Sequence, residues 1–404
     1  MSPSRKKPAQ MSVEKTSEPG GVSLEAKSWD ENHTHVPKST GSLFSPIFDF
    51  LFVGGGSIIL LGVFYAFVPV NQAATAVAIS LIVAHFINSP HFAHSYQIIY
   101  KDFVSKAFLS YYDPMMKARY IWAAVVAPII IILYFAVGAM TENGRLLGYG
   151  ANVMFLLVGW HYAKQGYGVL IVMSVAKKAF FNSLEKRIFL INAYAVWAAA
   201  WMHANRAVAE HEFRNLAYYT FDVPDVIYDL SIKVFLITSL AVAFILIKIV
   251  FEGRKLPANG VVGYLITLYL WTLFIGINPI FAAFIPAFHS LQYLLIVWRY
   301  EINEAAVLAQ DRKDSQNNST SRRFVILRVG YFIGIGIVMG YAGFWLIPEF
   351  LDGTVHYSSE IFGATMFVAM FSLFINIHHY LIDNVIWRRQ NPDARKYLFA
   401  TNSS

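Results

Sequence analysis

The chain has 404 residues, of which 56% are hydrophobic and 14% are charged, with a formal net charge of +7 and no cysteine. About 25% charged residues is usual for a soluble globular protein, so this composition argues against a soluble domain. The lack of cysteine excludes disulfides, thiolate-ligated zinc and cysteine-bound iron–sulfur clusters.

Residues 1–42 are predicted to be a disordered cytoplasmic tail, because they are polar, mixed in charge and lack an apolar signal segment. Ten apolar segments of roughly membrane-spanning length follow, and their continuous hydrophobicity favours helices over strands. The predicted fold class is therefore all-α, a polytopic transmembrane helical bundle. The predicted spans are Ile47–Val70, Ala73–Asn88, Tyr120–Met140, Leu147–Val175, Ile188–Met202, Leu230–Phe251, Val261–Gly276, Pro279–Trp298, Phe324–Ile347 and Phe362–Trp387.

A predicted linker divides the ten spans into two groups. Spans one to eight occupy residues 43–309, a cytoplasmic linker occupies 310–323, and spans nine and ten occupy 324–390, before a cytoplasmic C-terminus at 391–404. Directly after the second span, Ser89 is predicted to cap a new helical segment that starts at Pro90. Residues 205–229 are predicted to form an external loop or an interfacial helix.

Orientation follows from the basic residues in the short loops, which gather on the cytoplasmic side of membrane proteins. With ten crossings, all the basic loops fall on the same side as both termini. We therefore expect cytoplasmic termini and a multi-pass protein of a bacterial inner membrane. The basic residues that carry this prediction include Lys101, Lys106, Lys117, Arg119, Lys177, Lys178, Lys186, Arg187, Arg254, Lys255, Arg322, Arg323, Arg388 and Arg389.

Seven of the twelve histidines lie in, or directly after, spans that run from outside to inside. At 1.5 Å per residue, His289 and His379 lie roughly 12–14 Å from the cytoplasmic ends of their spans. His85 lies closer to its exit and His161 somewhat deeper, so the predicted depths are comparable. The seven residues are His85, His91, His94, His161, His289, His378 and His379.

Four of these histidines are followed, one helical turn later, by an amide or a carboxylate on the same helix face. Such a group fixes the tautomer of the imidazole or acts as a further ligand. The pairs are His94 with Gln97, His161 with Gln165, His289 with Gln292, and His379 with Asp383.

A single membrane histidine is most often a packing residue, but seven at one depth need a partner that offsets their lost hydration. A metal ion is such a partner, and imidazole, amide and carboxylate donors suit iron, copper, zinc or manganese. Seven imidazoles exceed the four ligands of one structural zinc. We therefore predict one or two iron ions, and oxidation of a C–H or C=C bond in a membrane lipid or other lipid-soluble substrate. A cytoplasmic donor would supply the electrons.

The histidine pattern resembles that of the membrane histidine-box enzymes, which include fatty acid desaturases, alkane hydroxylases and sterol or carotenoid hydroxylases. His91-Phe92-Ala93-His94 and Asn376-Ile377-His378-His379 are similar to their boxes. The chain departs from them by lacking an HxxxH box and a complete HxxHH box. Its single histidines in spans four and eight resemble those of bacterial carotene-cleaving membrane oxygenases, in which four histidines from separate helices hold one iron. The resemblance implies that His91, His94, His378 and His379 correspond to the box residues.

Other functions remain open at this stage. Histidine pairs on facing helices can ligate b-type haem in an electron-transfer protein, and histidines along a path can serve a metal or proton transporter. A scaffold without chemistry is a further alternative. No nucleic-acid partner is expected, and the sequence does not define an oligomeric state.

Two charged residues near the histidines have alternative interpretations. Glu301 is either a carboxylate ligand at the cytoplasmic rim or the partner of Arg299 in a solvated salt bridge. Lys164 lies between His161 and Gln165 but on a different helix face. It is predicted either to extend its charge to the membrane surface or to bind an anion.

Overall fold

The computed structural model describes residues 41–67, 73–109, 112–207, 211–277, 279–311 and 318–399. Within these ranges the chain is almost entirely helical, as the composition predicts. Most of the predicted tail lies outside the described residues. Of the predicted linker 310–323, both ends are helical, and residues 312–317 lie outside the described part of the chain.

The helices follow one another closely along the chain. The first nine are α1 Pro46–Phe50, α2 Gly56–Phe67, α3 Ala73–Val83, α4 Ser89–Tyr100, α5 Phe103–Phe108, α6 Pro114–Ile121, α7 Ala127–Met140, α8 Gly144–Ala176 and α9 Ser183–Ala207. The others are α10 Asp225–Phe251, α11 Ala258–Leu265, α12 Trp271–Ile277, α13 Ile285–Asp311, α14 Asn318–Tyr341, α15 Ile347–Thr354, α16 Ser359–Phe362, α17 Met366–Ile386 and α18 Pro392–Ala394. A short 3₁₀ turn, Pro279–Ala283, precedes α13.

Wide π-helical turns join several of these helices end to end. Three of the turns end two residues before a proline, which lacks an amide hydrogen and would clash with the preceding turn of a regular helix. Widening the turn before the proline relieves that clash while the helix continues. The three turns are Ala84–Asn88 before Pro90, Trp122–Val126 before Pro128, and Ala342–Leu346 before Pro348.

The turn before Pro90 corrects one prediction. Asn88 and Ser89 both have right-handed helical backbone angles, and no side chain caps a helix start at this position. The predicted N-cap at Ser89 is therefore wrong. The second apolar segment also does not stop at Asn88 but continues as helix to Tyr100.

Eight helical segments of the described chain are long and apolar enough to cross a membrane. They are Pro46–Val63, Ala74–Tyr100, Pro114–Met140, Asp225–Phe251, Ala258–Ile277, Ile280–Gln310, Ser321–Thr354 and Met366–Ile386. The fourth and fifth predicted spans correspond to α8 and α9, which are 33 and 25 residues long but are not among these eight. The number ten therefore stays a prediction.

Residues 205–229, predicted as an external loop or an interfacial helix, contain a small antiparallel hairpin. Strand β1 His211–Phe213 pairs with β2 Leu216–Tyr218. The two turn residues, Arg214 and Asn215, both have positive φ, which is the conformation of a two-residue type I′ hairpin turn.

The helices differ strongly in how much of their surface the bundle covers. In the most apolar windows of the Ile280–Gln310 and Met366–Ile386 segments, 61% of residues are buried, against 17% for Asp225–Phe251 and 11% for Ser321–Thr354. Helices α13 and α17 therefore form the interior, whereas α10 and α14 lie at the outside. Helix α17 packs on α4 and α8, and it is here that the histidines meet.

Candidate metal centre

Four histidines from four different helices come together in the interior of the bundle. They are His91 on α4, His161 on α8, His289 on α13 and His379 on α17, and each is at most 6% exposed. The ring centroids are 4.5 Å apart for His91 and His379 and 5.0 Å apart for His161 and His379. Those of His161 and His289 are 4.9 Å apart. Residues separated by up to 288 positions in sequence thus share one small volume.

A carboxylate joins the four imidazoles. Asp383 lies one turn after His379 on α17, and its Oδ2 is 3.4 Å from His379 Nε2 and 3.7 Å from His161 Nε2. Its other oxygen, Oδ1, accepts a hydrogen bond of 2.7 Å from the Ser95 hydroxyl. The carboxylate is therefore held from α4 and directs its second oxygen at the imidazoles.

The atoms that face one another in this cluster lack hydrogen-bond partners within the described chain. They are Nε2 of His91 and His161, both ring nitrogens of His289 and His379, and Oδ2 of Asp383. Buried polar atoms are normally satisfied, and each exception calls for an explanation. Two groups of three have ligand atoms that all lie within 4.8 Å of one another: His91, His161 and His289, and His161, His379 and Asp383. These buried groups could hold a metal ion, and His161 belongs to both.

Neighbouring groups orient the imidazoles. Nδ1 of His91 lies 3.1 Å from the Asn88 carbonyl oxygen and 3.0 Å from the Ser290 hydroxyl. A proton on Nδ1 would be donated to that carbonyl, which leaves the lone pair of Nε2 free to face the cluster. The ring of His289 stacks on Tyr162 at 3.9 Å, and that of His161 stacks on Tyr380 at 4.7 Å.

Three of the predicted histidines lie outside the two ligand groups. His94 directs Nδ1 at Gln97 Oε1 at 2.7 Å and stacks on Phe332 of α14. His378 contacts protein atoms through both nitrogens, Nδ1 with the Tyr96 hydroxyl at 2.9 Å and Nε2 with the Ala123 carbonyl oxygen at 2.7 Å. It thereby ties α17 to α4 and to the turn before α7.

His85 and Glu301 also lie apart from the cluster. Nδ1 of His85 is 2.8 Å from the Leu81 carbonyl oxygen, and its ring stacks on Trp345 near the outer surface. Glu301 is buried three turns beyond His289 on α13, where Arg328 approaches it at 3.8 Å. Among the described residues, the ion-pair partner of Glu301 is thus Arg328 rather than the predicted Arg299.

The predicted glutamines contact protein groups around the cluster. Gln97 donates to the Phe332 carbonyl oxygen at 3.1 Å. Gln165 donates to the His289 carbonyl oxygen at 2.8 Å and to Gln292 Oε1 at 3.2 Å. Gln292 in turn donates to the Val53 carbonyl oxygen at 2.5 Å and to Thr267 at 2.8 Å. Gln165 and Gln292 thus connect α8 to α13 next to the imidazoles.

Sequence reasoning missed the hydroxyl groups beside the cluster. The Tyr293 hydroxyl lies 2.6 Å from that of Ser95 and donates to Asp383 Oδ1 at 3.4 Å. Ser95 lies four residues after His91, and Tyr293 lies four residues after His289. These spacings of one helical turn are the same as those that identified the amides. A search for hydroxyl groups at this spacing would therefore have predicted Ser95 and Tyr293.

An aromatic and aliphatic layer covers the cluster on one side. Phe92 contacts the His379 ring at 4.7 Å and the Phe344 ring at 5.0 Å. It forms a buried apolar group with Phe344, Ile375 and Tyr380. The imidazoles therefore lie against an apolar surface, where electrostatic interactions are stronger than in water.

Comparisons with known proteins do not identify a family: no family model, no curated protein and no solved structure matches the chain. The chemistry of the centre has to be inferred from its own residues.

Proposed function

We propose that the protein is an integral membrane non-haem iron oxidoreductase, a hydroxylase, desaturase or oxygenase that acts on a lipid-soluble substrate. The proposal rests on the buried group of His161, His379 and Asp383 and on the neighbouring His91 and His289. The side-chain atoms of these residues that face one another lack hydrogen-bond partners in the described chain. In the proposed orientation the chain crosses the inner membrane ten times with cytoplasmic termini. The centre then lies in the cytoplasmic half of the bundle.

The donor set supports iron. Two histidines and one carboxylate on a single side of a metal, with other positions open, are typical of non-haem iron oxygenases. The set lacks the thiolates that favour copper(I) or structural zinc. The additional imidazoles of His91 and His289 would complete the coordination of one ion or provide ligands for a second.

The packing of the imidazoles favours a bare ion over haem. A haem needs a flat slot between its two axial ligands, but these rings contact one another and the rings of Tyr162, Phe92 and Tyr380 directly. A transporter would need a polar path on both sides of the cluster. The apolar group that contains Phe92 and Phe344 lies across one side, which argues against such a path.

A bound iron would supply dioxygen activation and one-electron redox chemistry. The imidazoles and Asp383 would hold it, and the apolar group of Phe92 and Phe344 would exclude water from one side of it. Insertion of one oxygen atom of dioxygen into a C–H bond consumes two electrons and two protons and releases water. A cytoplasmic electron donor is therefore part of the proposal.

The test is the metal content of the purified protein together with its optical spectrum. We expect one or two iron equivalents per chain and no Soret band. His161→Ala should remove most of the iron, because His161 belongs to both ligand groups, whereas His85→Ala should retain it. Protein without any transition metal, or with a haem spectrum, would refute the proposal.

A further inference from the structure

Two cationic side chains from separate parts of the chain share one acceptor beside the proposed metal centre, and a third acts on them through its charge. Lys164 on α8 and Arg388, just after α17, both donate to Oδ1 of Asn384, the latter at 3.3 Å. The positive charge of Arg119 on α6 acts on both of them through space. We call Lys164, Arg388 and Arg119 the cation cluster.

The cation cluster lacks a matching negative charge. Among the described residues, none of its three members forms an ion pair with a carboxylate. The carboxylate whose charge acts on Lys164 is that of Asp383, which faces His161 and His379 instead. Three other cations that lie at least partly in the protein are paired: Arg254 with Glu185, Lys106 with Asp393, and Arg328 with Glu304.

The contacts within the protein compensate only part of this charge. Arg388 donates from Nε to the Asn384 carbonyl oxygen at 2.7 Å, which places it at the negative end of the α17 dipole. Lys164 lies over the Trp160 ring at 4.6 Å, a modest cation–π interaction. Two cations that share one neutral amide oxygen still repel each other, and because both side chains are partly buried this repulsion has a cost in free energy. An anion bound between them would remove this cost.

The position of the cation cluster ties it to the proposed chemistry. Lys164 lies three residues after His161, about 5 Å further along the α8 axis, and Asn384 directly follows Asp383. An anion bound by Lys164 and Arg388 would thus lie about one helical turn from the proposed ligands. Arginine forks and lysine ammonium groups are the usual protein partners of carboxylates and phosphates. Basic pockets between membrane helices bind anionic lipid head groups.

We propose that the cation cluster binds the anionic head group, carboxylate or phosphate, of an amphiphilic substrate and places its chain at the metal centre. The substrate class is then a long-chain lipid with a negatively charged head rather than a neutral hydrocarbon. The identification of this lipid as the substrate rests on the proposed function, whereas binding of the head group does not.

The experiment measures binding of three probes with the same chain, oleate, oleyl phosphate and oleyl alcohol, to the full-length protein in a non-ionic detergent. Acetate and inorganic phosphate serve as free anions. We expect at least one of the two anionic probes to bind about tenfold or more tighter than the alcohol, as expected for charge-assisted hydrogen bonds. Lys164→Gln and Arg119→Gln should each remove most of this preference, and Lys164→Arg should keep it. Arg389→Gln, at the exposed neighbour of Arg388, is the matched control.

Equal binding of all three probes, or a preference that survives Lys164→Gln and Arg119→Gln, would overturn the head-group site. If acetate or inorganic phosphate binds as tightly as the long-chain anions, the site takes a free anion and the lipid assignment fails. Substitution of cobalt(II) at the centre provides a second measurement, because a head group one turn away should shift the cobalt absorption bands. Binding of the anionic probe without a shift of the cobalt bands would contradict the proposal that the site places the lipid chain at the metal centre. Selective binding to a protein that holds no metal would leave this site standing while the proposed function fails.

Discussion

Helix α17 and the outer helix of residues 321–354 are both long and apolar enough to cross a membrane, yet their side chains have different surroundings. In the most apolar window of α17 61% of residues are buried, and in that of the outer helix 11%. Helix α17 carries His379 and Asp383, whose facing atoms lack partners in the described chain. The outer helix instead approaches α4 through Gly336 and Gly340. The comparison shows that polar side chains occur on the helix that other helices surround. On the outer helix, small residues occur where it packs closely against α4.

The strongest test of this contrast removes the charge at the centre of α17. Asp383→Asn keeps the shape of the side chain but replaces the anionic oxygens that face His161 and His379. We expect iron retention to fall at least tenfold, since even groups that only support metal ligands contribute ~10–100-fold. Metal analysis after dialysis against a chelator provides the measurement.

The control for this variant is Asp352→Asn. Asp352 also binds α17, by accepting hydrogen bonds from the backbone amides of Phe367 and Val368 at 2.8 and 3.0 Å. Its replacement should reduce stability but keep the iron. Equal iron loss in both variants would mean that Asp383 acts through the fold and not as a ligand.

The outer helix is tested at its glycines. A Cβ at Gly340 would lie 2.6 Å from the carbonyl carbon of Ser89, whereas a Cβ at Gly334 would meet nothing within 4 Å. Gly340→Ala should therefore lower the free energy of unfolding by about 2 kcal/mol through overpacking. Gly334→Ala should leave it unchanged or raise it by up to ~1 kcal/mol, since alanine favours the helix. Denaturation in detergent compares the two, and equal effects would contradict the close approach of α14 to α4.

Much of this architecture could be predicted from the sequence, because hydrophobic length and the position of charges act locally. Counting residues along each span placed His161, His289 and His379 at comparable depth, and the structure gathers these three with His91. The pairing of His379 with Asp383 followed from their spacing of one helical turn.

The rotation of each helix about its axis could not be predicted, because packing against neighbours sets it. His85 illustrates this. His85 lies within the wide turn Ala84–Asn88. This turn changes the angle about the helix axis between His85 and His91, and the hydrophobic pattern of the sequence does not reveal it. The same limit applies to His94, which stacks on Phe332 at 4.3 Å, a residue of α14 that lies far away in sequence.

The smallest loss of stability is expected at His378, whose comparison with its neighbour His379 separates structure from chemistry. Successive positions on a helix point about 100° apart, so His378 contacts Tyr96 and Ala123 while His379 faces His161 and Asp383. His378→Phe removes two buried hydrogen bonds and should lower the free energy of unfolding by about 1–2 kcal/mol, with the iron content unchanged.

His379→Phe should have the opposite result. Its two ring nitrogens have no hydrogen-bond partner in the described chain, so the metal-free protein loses no such bond and should be at least as stable as before. Iron, however, should no longer be retained. Thermal unfolding of both variants, each with and without iron, gives four values, and metal analysis of the two iron-treated samples gives two more. If His378→Phe loses iron, or if His379→Phe keeps it, the assignment of roles to these adjacent histidines is reversed.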